Sequence, residues 1–530
     1  MGGRRPPRTA RCWPRRSSRS ASAWRRSWTG SATSCASCPR RGRWPPTSRP
    51  AWPSPSPCTS TATTRFLTST EPSDMSSATP SAPVASGTIK QISGLPLLGN
   101  ALEFQKDRLA LLCRVARECG EIGGFRLGPV PVVMPNSAEL IEQLLIDKGD
   151  EIHRGRFFDA FIPVLGTHSI LTRDGEYHRQ QRKLHMPAFA PRRLPRYAEA
   201  MVRCTRQVLD GLQDGQEVDM EHVMGRVARL IAAATLFSID EGPLVSHFQK
   251  AISVVEAYVA HAMSSLVQIP LSWPTPANQR ARAAISELRR RAEEIVAEYR
   301  KHGEDKGDLL SMLLQARDEN GEALSDEQLR DHAVTIYIAG QETTAVALTW
   351  MAILLAWHPE IQARARQQVD EVLQGREPTA EDLPRLSYLL QIVKETLRLY
   401  PPAAAIGRET LEEVELGGYR LPAKQFIMIS PYTLHRVARY YPEPERFIPE
   451  RFRPEEEKQR PRNAFLPFAT GVHTCMGNHF ALMEMQLSLA SMLQKIHFEL
   501  VPGQDIRPKL LITVKASSAR FIIRHRTDVS

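Results

Sequence analysis

Cys475 stands alone in FLPFATGVHTCMGNHFAL (465–482), behind a glycine-containing loop and at the start of a helical stretch. A thiolate there meets free backbone N–H groups and the positive end of a helix dipole, and both favour the anion. Such a sulfur is a strongly donating axial ligand for iron, and that donation favours O–O cleavage. Gly471 and Gly477 would let the backbone approach a flat macrocycle without a Cβ in the way. Phe468 would pack beside the sulfur and keep water off it, and His473 would offer a donor or cation to an anionic edge. Cys113, Cys119 and Cys204 show no metal-ligand spacing and read as small buried hydrophobes.

A second concentration of chemistry lies between Ser325 and Trp357, SDEQLRDHAVTIYIAGQETTAVALTWMAILLAW. Ser325 and Gln328 have capping-box spacing. From Ala333 onward the stretch is apolar nearly all round, as expected of a helix through the core. Gly340, Gln341, Glu342, Thr343 and Thr344 interrupt it, and a buried helix avoids such a run unless the polar groups are used or satisfied. Gly340 leaves room beside the helix, Thr343 carries a hydroxyl donor, and Glu342 can relay protons from solvent. Glu395 and Arg398 share a helical face at i and i+3 in an apolar stretch ending in LYPP. His178 and Arg182 stand at i and i+4, and Arg408 follows PPAAAIG; arginine carries a fork-shaped charge suited to carboxylates.

The order Phe468, Gly471, Cys475, Gly477 resembles the haem-binding signature of the cytochrome P450 family. AGQETT (339–344) resembles that family's oxygen-activation motif. Glu395 and Arg398 resemble its Glu-x-x-Arg pair, completed by Arg451 of Pro449-Glu450-Arg451-Phe452. The earlier Pro444-Glu445-Arg446-Phe447 has the same letters and is read as a decoy. The segment from Asp174 to Lys183 resembles the family's third helix, with His178 where tryptophan is common, and His473 stands where arginine is more frequent. The resemblance covers about residues 90–525.

It implies a mainly α fold with small β-sheets, holding haem b between the long central helix and the cysteine-loop helix. Cys475 would ligate the iron, and His178, Arg182, Arg408 and His473 would meet the propionates. Glu342 and Thr343 would be the acid and alcohol, and Glu395, Arg398 and Arg451 a structural trio. The implied activity is a haem-thiolate monooxygenase using dioxygen, with electrons from NAD(P)H through a separate ferredoxin or flavodoxin and its reductase. That partner would dock near the cysteine loop, where Arg462 is a candidate contact. The pocket is expected from 157–171, 247–272, Ile336, Ala339, Ala403–Ile406 with Ala404 and Ala405, and Thr513. These are largely apolar and fit a fatty acid, terpenoid, steroid or polyketide-like molecule. A non-hydroxylating oxidation (desaturation, coupling or rearrangement) and a non-enzymatic haem sensor are the alternatives. The proton-relay pair argues against the sensor.

The elements that must position these groups are mostly helical. Helices are expected at 109–119, 137–150, 192–212, 219–238, 243–266, 277–301 (a solvated surface helix), 325–357, 359–373, 387–400 and 478–494. FRLGPVPVVMP (125–135) reads as strand, turn, strand, and further strands fall near 415–418 and 425–429. Residues 510–523 read as a closing hairpin, and no internal repeat is present.

Composition sets the boundaries. The chain has 530 residues and a net charge of +11, yet its first 74 residues carry 14 arginines, no lysine and two acids, so 75–530 is close to neutral. The leading stretch is rich in Ser and Pro, shows no periodicity, and is expected to be disordered. No methionine lies between Met1 and Met75, which suggests an over-extended translation start, with 75–89 a flexible leader and 90–530 the folded domain. The near-neutral domain gives no reason to expect nucleic-acid binding. No run of 18 or more apolar residues suggests a membrane span. A cytoplasmic monomer is expected.

Overall fold

The helix Asp326–Trp357 is the axis of the structure, 32 residues long and opened by the Ser325–Gln328 capping box. The computed structural model describes residues 88–526, apart from 240–241, 265–268 and 303–304. The expectations for 1–74 and for the leader up to 87 lie outside the described residues. Helix Met220–Phe237 packs along the central helix, joined by Pro195–Asp210, Ser387–Leu399 and Asn478–Lys495. Their apolar faces form the largest core cluster, with Trp350, Leu348 and Met351 fully buried at its centre. Helix Pro276–His302 buries one stripe (Ala281, Leu288, Ala292, Val296) and carries Glu287, Arg290, Arg291 and Glu294 as exposed or half-exposed ion pairs. Among the described residues the central helix alone is long and apolar enough to cross a membrane, and 72% of its apolar window is buried inside the fold.

A five-stranded sheet flanks the helices in the order Ile122–Leu127, Val130–Pro135, Phe426–Ile429, Ile406–Thr410, Ile152–His153. Its first two strands are the expected hairpin, with Gly124 opposite Val133. The fourth places Arg408 opposite Ile427. This fold of helices with small sheets is the expected architecture; two local readings are corrected and two short elements were not expected. The helix at 138 runs only to Glu142 and widens into a π-turn over Gln143–Asp147. The closing segment is not one hairpin: Pro508–Leu510 pairs with Val514–Ala516, whereas Arg520–His525 pairs with Ile496–Leu500. Ser517 and Ser518 lie between the two pairings, Ser517 N donating to Arg507 O and the two hydroxyls to Asp505 O and Gln504 Oε1. Helix Leu309–Gln315 and strand Ile406–Thr410 have too short a pattern to stand out in sequence.

A buried ion pair ties the cysteine loop to this frame. Glu395 and Arg398 are both completely buried. Arg398 Nε and Nη2 donate to Glu395 at 2.6 and 2.9 Å, and its remaining N–H groups reach the carbonyls of His435 (2.9 Å), Pro444 (2.7 Å) and Arg446 (3.0 Å). Glu395 also accepts from Ile448 N at 2.8 Å. Arg451 Nε lies 3.4 Å from Glu395 Oε1, while the Arg446 side chain pairs with exposed Glu443. Removing one partner of such a pair strands a buried charge, so Arg398→Met is expected to cost about 3–5 kcal/mol in urea unfolding. A loss below about 1 kcal/mol would show that the pair does not hold this region.

Candidate active site

The cysteine loop is a short, heavily bonded turn. Cys475 N donates to Phe468 O (2.9 Å), Thr474 N and its hydroxyl both reach Gly471 O, and Arg182 Nη1 donates to Thr474 O at 2.7 Å. Ala469 and Gly471 both have positive φ (56° and 74°). A Cβ on Gly471 would strike the carbonyl of Leu145 at 1.9 Å, so the π-turn behind it demands glycine there. Gly477 has no such contact, its nearest neighbour being a Phe189 ring carbon at 3.8 Å. His435 holds the loop from below: Leu466 N donates to its Nε2 (2.8 Å) and its Nδ1 meets Arg398 O (3.1 Å). Burial lowers its pKa to about 3, so His435 is neutral and its tautomer is fixed by these two bonds.

Cys475 is enclosed by the fold, yet its side chain is accessible, as an atom on the wall of an internal cleft must be. Burial pushes its thiol up, while the Gly477 N–H and the Arg182 charge pull it down; burial wins. The net lowering expected from the loop and helix dipole alone is therefore corrected. An adjacent cation is needed to hold the anion.

On one side of this loop, cationic groups outnumber their counter-ions. Arg154, His178, Arg408 and His473 converge around Asp174. Arg154 Nη1 bonds Arg173 O (2.7 Å), and the His178 and His473 rings lie 4.6 Å apart. His473 Nε2 is 2.8 Å from Asp174 Oδ1 but too far off line for a hydrogen bond. Arg408 spends Nη1 on Gly407 O and leaves its buried Nε without a partner, as is His178 Nδ1. Burial lowers Arg154 to about 9 and Arg408 to about 10, against the pull of Asp174. Burial and neighbouring cations lower His178 to about 3, and burial lowers His473 to about 4. Burial would raise Asp174, but His473 and Arg154 outweigh it and hold it near 2. Two arginines and unpaired N–H donors around one carboxylate suit a ligand with further carboxylates, which is the chemistry of haem propionates. Arg154 was not legible in sequence, since nothing in IHRGRF distinguishes it. Arg182 spends one N–H on the Thr474 carbonyl.

Opposite stands the central helix. Between Asp331 and Leu355 only Ile336, Ile338, Ala339, Gly340, Glu342 and Thr343 have accessible surface. Positions 336, 339, 340 and 343 form one face. Open space lies where a Cβ on Gly340 would sit. Thr343 donates to Ala339 O at 2.8 Å, and its neighbour Thr344 donates to Glu484 at 3.4 Å. Glu342 accepts from the Thr513 hydroxyl at 2.9 Å and lies 3.6 Å from Lys515. Of the expected pocket residues, Ile336, Ala339 and Ala405 keep accessible surface. Ala404 does not: it is fully buried, its carbonyl accepting from Ser430, and it presents nothing to a pocket. A separate cleft of about 980 Å³ lies between 156–163 and the two long helices after Pro243, lined by Pro163, Ala257, Tyr258, Ile269 and Asn278. None of the motif residues lines it.

The family described as Cytochrome P450 matches residues 90–520. The chain is 36% identical over 432 residues to cyclooctatin synthase of Streptomyces melanosporofaciens, covering 81% of this chain and 94% of that protein. It is 34% identical over 428 residues to pentalenene oxygenase of Streptomyces avermitilis, covering 79% and 93%. The solved structure of retinoic acid bound cyanobacterial CYP120A1 superposes with a TM-score of 0.74 at 28% identity, covering 83% of this chain and 99% of that one.

Glu484 is a residue sequence reading missed. It is fully buried, and burial raises its carboxyl from 4.5 to about 8, against the hydrogen bond from Thr344. The folded protein keeps this proton over a range in which the unfolded chain loses it, so stability falls as pH rises from about 4.5 to 8. Glu484→Gln removes that dependence. Its thermal midpoint relative to the parent is expected to climb between pH 5 and pH 8; a pH-independent difference would show that Glu484 is ionised in the fold.

Proposed function

The chain belongs to the cytochrome P450 family, and from that premise we propose that it is a haem-thiolate monooxygenase acting on a cyclic, apolar terpenoid. The observation that carries the reading is the single open face of the central helix, where Thr343 stands beside Gly340 with Glu342 one residue away. When bound, haem b supplies the redox chemistry that activates dioxygen. Cys475 would hold it through its thiolate, and Phe468 would keep water from the sulfur. Arg154, His178, Arg408 and His473 take the propionates. Arg182 steadies the Thr474 carbonyl, and Gly477 lets the backbone pass close to the sulfur.

Thr343 currently spends its proton on Ala339 O. It can turn that proton toward dioxygen, because its hydroxyl is on the open face. Glu342 resupplies the proton. Ile336, Ala339 and Ala405 offer an apolar surface. The fully buried Ala404 is left out, and Thr513 is reassigned to holding Glu342. The substrate class rests on two relatives, one named for pentalenene and one for cyclooctatin. Electrons come from a separate ferredoxin or flavodoxin with its NAD(P)H-dependent reductase. Arg462, exposed just before the cysteine loop, is a contact for that partner.

The test is the ferric haem spectrum during titration with cyclic terpenes, fatty acids, steroids and macrolides. A low-spin to high-spin shift saturating with the terpenes is expected; saturation with another class alone would overturn the substrate assignment. Thr343→Ala should keep that shift while lowering product per electron consumed by roughly tenfold or more. Unchanged coupling would remove Thr343 from the mechanism.

A further inference from the structure

The turn from Leu95 to Gly99 lies outside everything assigned so far. Its backbone closes on itself: Leu95 N donates to Gly99 O and Gly99 N to Leu95 O, both at 2.8 Å. It is also fastened to the first hairpin of the sheet, where Gly128 N donates to Leu98 O (3.0 Å) and Asn100 N to Arg126 O (2.7 Å). On this rigid base the side chains face outward. Leu97 is 94% exposed, the highest of any large apolar residue described, and Leu95, Leu98 and Leu102 are exposed as well. Pro96, and Pro129 on the neighbouring hairpin turn, extend the apolar surface. Leu97 also has a φ of 62°, in the left-handed region that favours glycine or asparagine. A leucine there gives the fold almost no buried area and strains the backbone. Strain of that kind is kept where a function uses it.

We propose that this turn is a membrane-surface contact, placing Leu97 and its apolar neighbours in the headgroup boundary of a bilayer. The contact is peripheral, uses no spanning helix, and does not rest on the proposed activity. Size and charge select the occupant. The patch is one outward-facing turn and its immediate neighbours, whereas a stable protein interface takes roughly 20–30 residues a side. A bilayer needs no complementary shape, and each leucine it takes up leaves water. Cations edge the patch. Lys106 stands one turn after Leu102 on the same helical face, and Arg126 abuts Gly99. The carboxylates nearby are occupied: Glu103 pairs with Arg114 (2.8 Å), and Asp107 accepts from Ala110 N (3.0 Å). An apolar tip with a basic edge suits anionic lipid headgroups.

The test is sedimentation of the full-length holoprotein with vesicles of phosphatidylcholine, and with an equal mixture of phosphatidylcholine and phosphatidylglycerol. On the first, the arginine-rich stretch before Met75 meets no anionic lipid, so that partition reads the turn. Leu97→Asn should lower it about tenfold or more, and Leu97→Met should keep it. Asparagine tolerates the left-handed conformation, so the thermal midpoint of Leu97→Asn should equal or exceed the parent's. On the mixture, Lys106→Gln should lower binding about fivefold. The haem spectrum should be the same in every variant. A parent that does not partition onto phosphatidylcholine, or Leu97→Asn partitioning like the parent, would overturn the proposal. A lower thermal midpoint in Leu97→Asn would show that the side chain serves the fold, and would overturn it too. So would a parent dimer in sedimentation velocity that Leu97→Asn dissolves, which would give the patch to a second copy. Unchanged binding of Lys106→Gln to the mixture would overturn the role of the basic edge.

Discussion

Everything about the cysteine side depends on one buried guanidinium. Arg398 has no contact with water, so each of its N–H groups must find an acceptor inside the protein. Glu395 supplies the charge, and the carbonyls of His435, Pro444 and Arg446 supply the rest. Those three carbonyls belong to a stretch with almost no regular structure, which would otherwise have little to define it. His435 then passes the constraint to Leu466 N, two residues before Phe468. Tyr441 repeats it through a hydroxyl bond to Ala464 O at 3.1 Å. The position of Cys475 is thus set by a chain of directional bonds that starts on an ordinary helix.

The two sides of the site are electrically opposite. Around Asp174 the excess is positive and buried, costly unless carboxylates arrive from a ligand. A bound group carrying carboxylates would answer the first. Around Lys515 the excess is negative, with Glu221 at 3.2 Å, Glu342 at 3.6 Å and Glu256 at 3.9 Å. The open face of the central helix at 336, 339, 340 and 343 is apolar except for Thr343.

What was legible in the sequence was local. Phe468, Gly471, Cys475 and Gly477 lie within ten residues, Glu395 and Arg398 within one turn, and Glu342 next to Thr343; fixed spacing alone exposes them. The helices were legible because their apolar stripes run for three turns or more. Arg154, His435, Glu484 and Lys515 were not, because each acquires its role by meeting a residue from a distant element. Lys515 meets Glu342 from 173 positions away, and only the fold reveals it. One reading failed for a related reason: three successive alanines suggested open space, yet Ala404, in the irregular stretch before strand Ile406–Thr410, is fully buried.

The threonine pair at 343 and 344 explains how the opposing halves stay in register. Adjacent helical residues point about 100° apart, so both cannot face the same way. Thr344 is buried and bonded to Glu484, on the helix that follows Cys475. Because Glu484 is neutral near pH 7, this link carries no charge into the core and avoids the desolvation an ion pair there would suffer. It also fixes the rotation of the central helix at this turn, and that rotation is what leaves Thr343 on the open face. The helix that follows Cys475 is therefore tied to the helix that carries Thr343 through a hydrogen bond, and an ionised carboxylate at 484 would disturb both.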